Sequence, residues 1–381
     1  MSKKTISKMK ILLVANYATD AIQSMEKFAS VLETGLTSLG HQVQVIRPQP
    51  VMGRIKRSPQ GLGKWLGYID KYILFPSQLR QGLAWADIVH ICDHSNAIYI
   101  RYLQNFPHLI TCHDLLAIRS ALGEISENKT GWTGKQLQKM ILQGLNQAQY
   151  VACISEQTRN DLTRLSKLRP EKISMIYMGL NYPYQTMEQQ AAQSRLVALR
   201  VPQSCPFILH VGNNAWYKNR LGVLTIFNYL TQKNHHAELY LVMAGQPFTQ
   251  EMQQFITTHN LQQKVIELIN VTNEDLCALY SLATALLFPS LQEGFGWPII
   301  EAQACGCPVF TSHIPPMTEV GGDAAIYINP HQPEATAEII ANYLPQLNNF
   351  KQKNWENAQR FTQEQMIHSY AEVYQQIINQ N

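Results

Sequence analysis

Met9–Ala15 is a continuous apolar run of the kind a buried parallel strand shows. Residues 22–39 then repeat apolar positions at helical spacing (Ile22, Met25, Phe28, Ala29, Leu32, Leu36, Leu39) and stop at Gly40. Val43–Ile46 follows as a second strand, so the chain opens with a right-handed crossover unit. Strands near 87–91, 108–112, 150–153 and 173–177 continue the pattern, alternating with helical stretches near 64–83, 132–147 and 155–166. A Pro- and Gln-containing passage, 182–206, interrupts it. Alternation resumes with strands near 207–211, 238–243, 264–269, 285–288, 308–311 and 325–328. Helical stretches 333–347 and 350–379, the latter broken near Thr362, end the chain. One side of the last stretch is aromatic (Phe361, Tyr370, Tyr374) and is expected to pack on the first domain. The pattern predicts two doubly wound α/β domains, 1–183 and 206–355, joined by a connection at 184–205, with a final helix at 356–381 crossing back. Ligands of such sheets sit beyond the carboxyl ends of the strands, so polar residues just after a strand are the ones to inspect.

Composition agrees with a folded protein: 45% of the 381 residues are apolar and 15% charged. No stretch approaches a membrane span, and no cleavage site follows the basic first residues, so a cytoplasmic protein is expected. Seven cysteines without a CxxC pair read as buried thiols, neither a disulfide framework nor a zinc site. Charge divides the chain. Residues 1–183 hold 22 basic and 12 acidic residues, a balance of +10, whereas 184–381 hold 9 and 15, a balance of −6. A basic first half favours an anionic partner.

The most informative segment is Phe288-Pro289-Ser290-Leu291-Gln292-Glu293-Gly294-Phe295-Gly296-Trp297-Pro298-Ile299-Ile300-Glu301-Ala302. A strand ends at Phe288, and Pro298 suits the first turn of the next helix. Gly294 and Gly296 permit close backbone approach, and N–H groups at the helix start suit a phosphate. Glu293 and Glu301 bracket the loop with carboxylates that accept hydrogen bonds from sugar hydroxyls. Spacing alone also fits an ordinary strand–loop–helix junction, with Glu301 favouring the helix dipole.

The segment resembles the E-G-F-G-x-P-x-x-E signature of retaining glycosyltransferase family 4, a GT-B family. The likeness extends forward through Ala302–Val309 and Glu319-Val320, and back through Asp275-Leu276, Tyr280 and Ala283 to Leu241–Gly245. It implies that Glu293 holds the donor sugar's hydroxyls and Glu301 the ribose, while the backbone of Gly294, Phe295 and Gly296 meets the diphosphate and hexose. Leu209-His210-Val211-Gly212-Asn213-Asn214-Ala215-Trp216-Tyr217-Lys218-Asn219 resembles the family's strand–Gly–loop–Lys-Asn motif. Gly212 and Lys218 then belong to the donor site, Lys218 neutralising the departing diphosphate. By itself a lysine at a helix start is ordinary surface solvation. The arginine common in this motif is Asn213 or Tyr217 here, with Arg220 as a substitute at different spacing. Ile110-Thr111-Cys112-His113-Asp114 ends a strand as in many members, where the histidine faces the donor sugar. Asn270 and Val271, after the strand near 264–269, fall where base recognition is expected. The Gly-rich loop usual after the first strand is Asn16-Tyr17-Ala18-Thr19-Asp20, without glycine.

Gly61-x-Gly63-x-x-x-Gly67 has the wrong spacing for a dinucleotide fingerprint, and there is no P-loop, GxSxG or metal-ligand cluster. The lack of an Asp-x-Asp motif fits a transferase that uses protein groups and no metal cofactor. Residues 47–80 carry seven basic residues against Asp70, interleaved with Trp65, Tyr68, Tyr72, Ile73, Leu74 and Phe75. They suit either contact with anionic lipid or an anionic acceptor, or a core helix with a solvated cationic side.

The expectation is therefore a two-domain GT-B enzyme facing a cleft. It would move a hexose from a nucleoside diphosphate sugar to a hydroxyl acceptor (anionic or membrane-associated), with retention and without nucleic acid as partner. A nucleotide-sugar epimerase of the same architecture, and a catalytically silent sugar-nucleotide-binding subunit, are the alternatives.

Overall fold

Strands in this protein are short, mostly apolar and parallel, and a parallel sheet of this kind is covered by helices on both faces. The computed structural model describes residues 7–20, 23–54, 62–202, 205–232 and 238–380. Lys56 and Arg57 of the basic segment, Gly61 and the expected helix start at Ile22 lie outside the described residues. The chain forms two compact units, residues 1–181 with 363–381, and residues 182–362.

The first unit runs β1 (Lys10–Val14), α1 (Gln23–Ser38), β2 (Gln42–Ile46), α2 (Leu62–Ile69), α3 (Phe75–Leu83), β3 (Ile88–Ile91) and β4 (His108–Cys112). It continues with α4 (Leu116–Ala121), α5 (Trp132–Asn146), β5 (Tyr150–Cys153), α6 (Glu156–Leu165) and β6 (Ile173–Met175). The sheet is parallel, ordered β2-β1-β3-β4-β5-β6. Its core joins Leu12, Val14, Val89, Ile91 and Ile110 to Leu79, Ile100 and Leu145 from the covering segments.

The second unit begins with α7 (Gln189–Ala198), β7 (Phe207–Gly212), α8 (Arg220–Thr231), β8 (Tyr240–Gly245), α9 (Gln250–Thr258), β9 (Val265–Ile269), α10 (Asn273–Leu282) and β10 (Ala285–Phe288). It ends with α11 (Trp297–Ala304), β11 (Val309–Ser312), α12 (Met317–Gly321), β12 (Ala325–Ile328), α13 (Pro333–Tyr343) and α14 (Lys351–Ala358). Its order, β12-β11-β10-β7-β8-β9, reverses between β10 and β7. The loops after those two strands therefore flank the switch point, where open α/β sheets hold ligands.

Two expectations need correction. Residues 184–205 are not a bare connection: they contain α7, which belongs to the second unit and packs on α10. Its buried apolar positions are only Ala192 and Leu196, so its periodicity is faint in sequence. Glu188 caps it through the amides of Gln190 and Ala191, and Arg195 pairs with Asp275 at 2.9 Å. The last helix, α15 (Gln363–Asn379), starts later than 356, and α14 and Phe361 stay with the second unit. Phe361 meets the Phe295 ring at 5.7 Å. Tyr370 and Tyr374 tie α15 into the first unit. Tyr374 shares a hydrogen bond with His90 at 2.6 Å, and Thr111 one with Tyr370 at 2.9 Å.

Candidate functional site

Beside the switch point of the second unit, β7 and its neighbour β8 end in register at Gly212 and Gly245. The two backbones touch: a Cβ on Gly245, whose φ is +154°, would lie 2.0 Å from the Gly212 carbonyl oxygen. Beyond Gly212 the Asn213 carboxamide accepts from the Ala215 amide at 3.0 Å, and Asn214 donates to Gln246 and Pro247 after β8. A 3₁₀ turn, Trp216–Lys218, then leads to Asn219, whose left-handed backbone (φ 53°) starts α8.

Three contacts lace this loop to the one after β10. The Leu291 amide donates to the Tyr217 carbonyl at 2.7 Å, and Asn219 Nδ2 donates to the Pro289 carbonyl at 3.0 Å. Between them Lys218 Nζ and Glu293 Oε1 meet at 2.7 Å, their side chains only 14% and 7% exposed. Lys218 Nζ also sits 5.0 Å from the Phe288 ring centroid. The cation and the first carboxylate of the motif thus form one nearly dry ion pair.

The loop enters α11 through Gly296, at φ 106°, a left-handed conformation that glycine adopts without strain. Phe295 is buried, its ring edge-on to that of Phe361. Glu301, inside α11, is buried, and its Oε2 accepts from the Tyr280 hydroxyl at 2.9 Å. Burial, with the Glu301 charge second, pushes the Tyr280 phenol well up, so it remains a donor.

Arg220 lies beneath this loop pair. It is buried, and its Nη1 donates to Asn214 Oδ1 and, at 2.7 Å, to the Gln246 carbonyl. It braces the loop after β7 against the loop after β8. Among the described residues its Nε and Nη2 have no hydrogen-bond partner. His210 is buried one turn of the pleat below Gly212. Burial pushes its pKa down to about 3, so its Nδ1 donates to the Leu287 carbonyl at 2.9 Å and Nε2 is an acceptor. Asn270 (φ 55°) and Val271 follow β9, two strands from β7.

His113 belongs to the first unit, after β4. Burial lowers its pKa, overriding Asp93, so the ring is neutral. Its Nε2 donates to the Cys92 carbonyl at 2.8 Å, which leaves Nδ1 as an acceptor. At that unit's switch point Asn16 donates to Asp93, whose other oxygen accepts from the Ser95 amide at 2.9 Å. Burial would raise the pKa of Asp93, but His94, His113 and these donors more than offset it, and the group is ionised.

The structure therefore brings Gly212, Lys218, Glu293, the glycine loop and Glu301 to one end of one sheet. Tyr280, His210 and Asn219 are the polar neighbours that sequence reasoning gave no role. All three had a signal, their place in the matched motifs: Tyr280 in the segment leading to the loop, His210 and Asn219 in the strand–Gly–loop–Lys-Asn stretch.

Two parallel, doubly wound units with a carboxylate-bracketed glycine loop at a switch point define the GT-B class. The family model described as Glycosyl transferases group 1 matches residues 197–361, and that described as Glycosyltransferase Family 4 matches 25–182. Between them the two span most of the chain, which belongs to the group 1 glycosyltransferases of family 4 type. It is 28% identical over 206 residues to the O-antigen chain mannosyltransferase RfbU of Salmonella typhimurium, covering 53% of either chain. It is 22% identical over 254 residues to the D-inositol 3-phosphate glycosyltransferase of Corynebacterium diphtheriae, covering 64% of this chain and 58% of that one. The chain thus spans about half the length of the curated relatives it matches. In fold it is similar to sucrose-phosphate synthase of Thermosynechococcus elongatus (TM-score 0.77, 19% identity, 98% of this chain and 100% of that one). It is also similar to HepE of Anabaena solved with UDP and glucose (TM-score 0.70, 16% identity, 96% and 99%). Among the described residues no helix is long and apolar enough to cross a membrane.

Proposed function

We propose that the protein is a retaining glycosyltransferase that moves a hexose from a nucleoside diphosphate sugar to a hydroxyl acceptor. The observation that carries this reading is the laced loop pair at the second unit's switch point, with Lys218 and Glu293 paired at 2.7 Å beside the glycine loop. A cation, helix-start amides and a carboxylate converge there on space suited to a diphosphate and a polyol. Glu301 is the ribose acceptor group, held by Tyr280. Asn270 and Val271 fall to the base, and His113 to the sugar.

The acceptor oxygen bonds to the anomeric carbon on the face from which the diphosphate oxygen departs. The acceptor's proton passes to that departing oxygen, so configuration is retained. Lys218 then exchanges its Glu293 partner for the growing negative charge, and Glu293 turns to the sugar hydroxyls. Stabilisation of that charge falls to Lys218 and backbone amides, so turnover should survive a chelator. Five relatives are named mannosyltransferases, which makes mannose the first sugar to test. The first unit, with its basic balance, serves an anionic or membrane-associated acceptor. All seven cysteines are free, which suits the reducing cytoplasm.

The test is a thermal-shift panel of UDP-, GDP- and ADP-sugars, followed by labelled transfer and assignment of the product anomer by NMR. One nucleotide class should raise the melting temperature, and the product should keep the donor's configuration. No shift with any donor, or an inverted product, refutes the reading. Conversion of the labelled sugar without acceptor indicates an epimerase instead, and tight binding without turnover a silent subunit.

A further inference from the structure

The loop after β1 lacks the glycines usual at that place, and its second residue, Tyr17, is buried in a socket of its own. Its hydroxyl donates to Asp70 Oδ2 at 2.8 Å. Asp70 opens the π-helical turn Asp70–Leu74 that follows α2. The amides of Met52 and Gly53 donate to the same carboxylate at 2.8 and 2.9 Å. Burial would raise the Asp70 pKa, but those amides and the Tyr17 hydroxyl outweigh it, so the acceptor is ionised. The Tyr17 ring lies against Gly67, and the Lys71 ammonium stands 4.9 Å from its centroid. Gly53 closes the socket: a Cβ there would overlap the Tyr17 hydroxyl oxygen. Two glycines and the one acid of residues 47–80 thus serve a side chain from a distant loop.

What the socket holds in place is the neighbouring Asn16. Its Nδ2 donates to Asp93 Oδ2, and its Oδ1 accepts from Asn96 Nδ2 at 3.4 Å. The loops after β1 and β3 are thereby joined at the first unit's switch point. Cys92, the residue before Asp93, supplies the carbonyl that accepts from His113 Nε2 at 2.8 Å. We propose that Tyr17 is a positioning residue: anchored on Asp70, it keeps Asn16 on Asp93 and so fixes the Cys92–Asp93 backbone that orients the His113 ring. A side chain reached through a carboxamide and a carbonyl is held only as firmly as the loop that carries them, and the buried anchor makes that loop rigid. The inference rests on the reading of His113 as a group at the donor sugar, whereas the anchoring is a property of the first unit alone.

Hydrogen exchange of the full chain, read by mass spectrometry, tests the anchor without reference to the reaction. Tyr17→Phe keeps the ring and removes the donor. Exchange in residues 14–18 and 92–96 should rise together, roughly tenfold, while exchange in β7 and β8 stays as in the wild type. Gly53→Ala should lower the urea midpoint of the wild type and do so far less in Tyr17→Phe, which lacks the oxygen that the new methyl would meet. Turnover is read as release of labelled sugar from its nucleotide to water: Tyr17→Phe should lower kcat about tenfold and leave the donor KM unchanged. A rise in exchange confined to residues 14–18, or an equal cost of Gly53→Ala in both backgrounds, overturns the anchor. An unchanged kcat, or a raised donor KM in its place, overturns the positioning role. A wild type that binds no UDP-, GDP- or ADP-sugar refutes the transferase reading instead, and the exchange and urea arms then decide the anchor by themselves.

Discussion

Replacing Glu293 by Gln leaves the Lys218 ammonium in a site where the two side chains are only 14% and 7% exposed. A hydrogen bond to a charged group contributes about 1.5–3 kcal/mol. Breaking one side of a fully buried pair removes ~3–5 kcal/mol. Residual exposure lets water reach the stranded charge, so the lower end applies and Glu293→Gln should destabilise by about 2 kcal/mol. For a unit of this size that lowers the melting temperature by roughly 4–8 °C. Lys218→Met should cost about as much, and Lys218→Met/Glu293→Gln should cost no more than either single variant, about 2 kcal/mol, giving a coupling near 2 kcal/mol in a double-mutant cycle. Activity should not follow stability. Lys218→Met should lower kcat roughly 10²–10³-fold, because a charge-stabilising donor is lost, and the double variant should stay equally inactive. Urea denaturation followed by tryptophan fluorescence reads the first quantity and labelled-sugar transfer the second. Recovery of kcat by the double variant to within a few-fold of wild type would show the lysine to be a structural partner only. Coupling below about 0.5 kcal/mol would refute the geometry.

Other expectations follow from the same sites. Gly245→Ala sets a Cβ 2.0 Å from the Gly212 carbonyl and should destabilise by more than about 3 kcal/mol in urea. In Gly212→Ala the nearest atom is His210 Nε2 at 3.1 Å, so that variant should lose only about 1 kcal/mol; equal effects would contradict the close backbone approach. Tyr280→Phe removes the donor to the buried Glu301 carboxylate and should cost about 1–2 kcal/mol while raising the donor KM several-fold; an unchanged KM would separate Glu301 from donor binding. Burial holds His90 and His210 at about 3 and lowers His113 below its ordinary value. The unfolded chain therefore binds protons, from near pH 6.5 downward, that the folded chain does not. Stability should be complete above that pH and decline below it, by up to ~1.4 kcal/mol per pH unit for each such histidine; urea midpoints flat between pH 7.5 and 5 would contradict this.

Strand positions were legible because a parallel strand buried on both faces must be apolar throughout, as in Leu12–Val14 or Leu286–Phe288. Elements with little buried apolar surface were not: α7 buries two side chains and otherwise reads as a polar linker. The break near Thr362 was visible, but whether Phe361 packs before or after it depends on Phe295, 66 residues earlier. The glycine loop and its two glutamates showed as a spacing whose meaning came from resemblance. Pairing of Lys218 with Glu293 spans 75 residues and depends on β7 and β10 being neighbours, which no local pattern reveals. The bracing role of Arg220 was not legible either, because its partners Asn214 and Gln246 come together only where the loops after β7 and β8 meet. In the basic segment, charge was plain in the sequence, but that its one acid, Asp70, turns inward to Tyr17 shows only in the structure.

Calorimetric titration of the wild type and Lys218→Met with UDP and GDP tests most directly whether the paired loops of the second unit hold a nucleoside diphosphate. One of the two nucleotides should bind the wild type, with affinity reduced at least tenfold in the variant while its fold persists. Equal affinity in the two proteins, or no binding of either nucleotide to the wild type, would contradict a diphosphate site at Lys218.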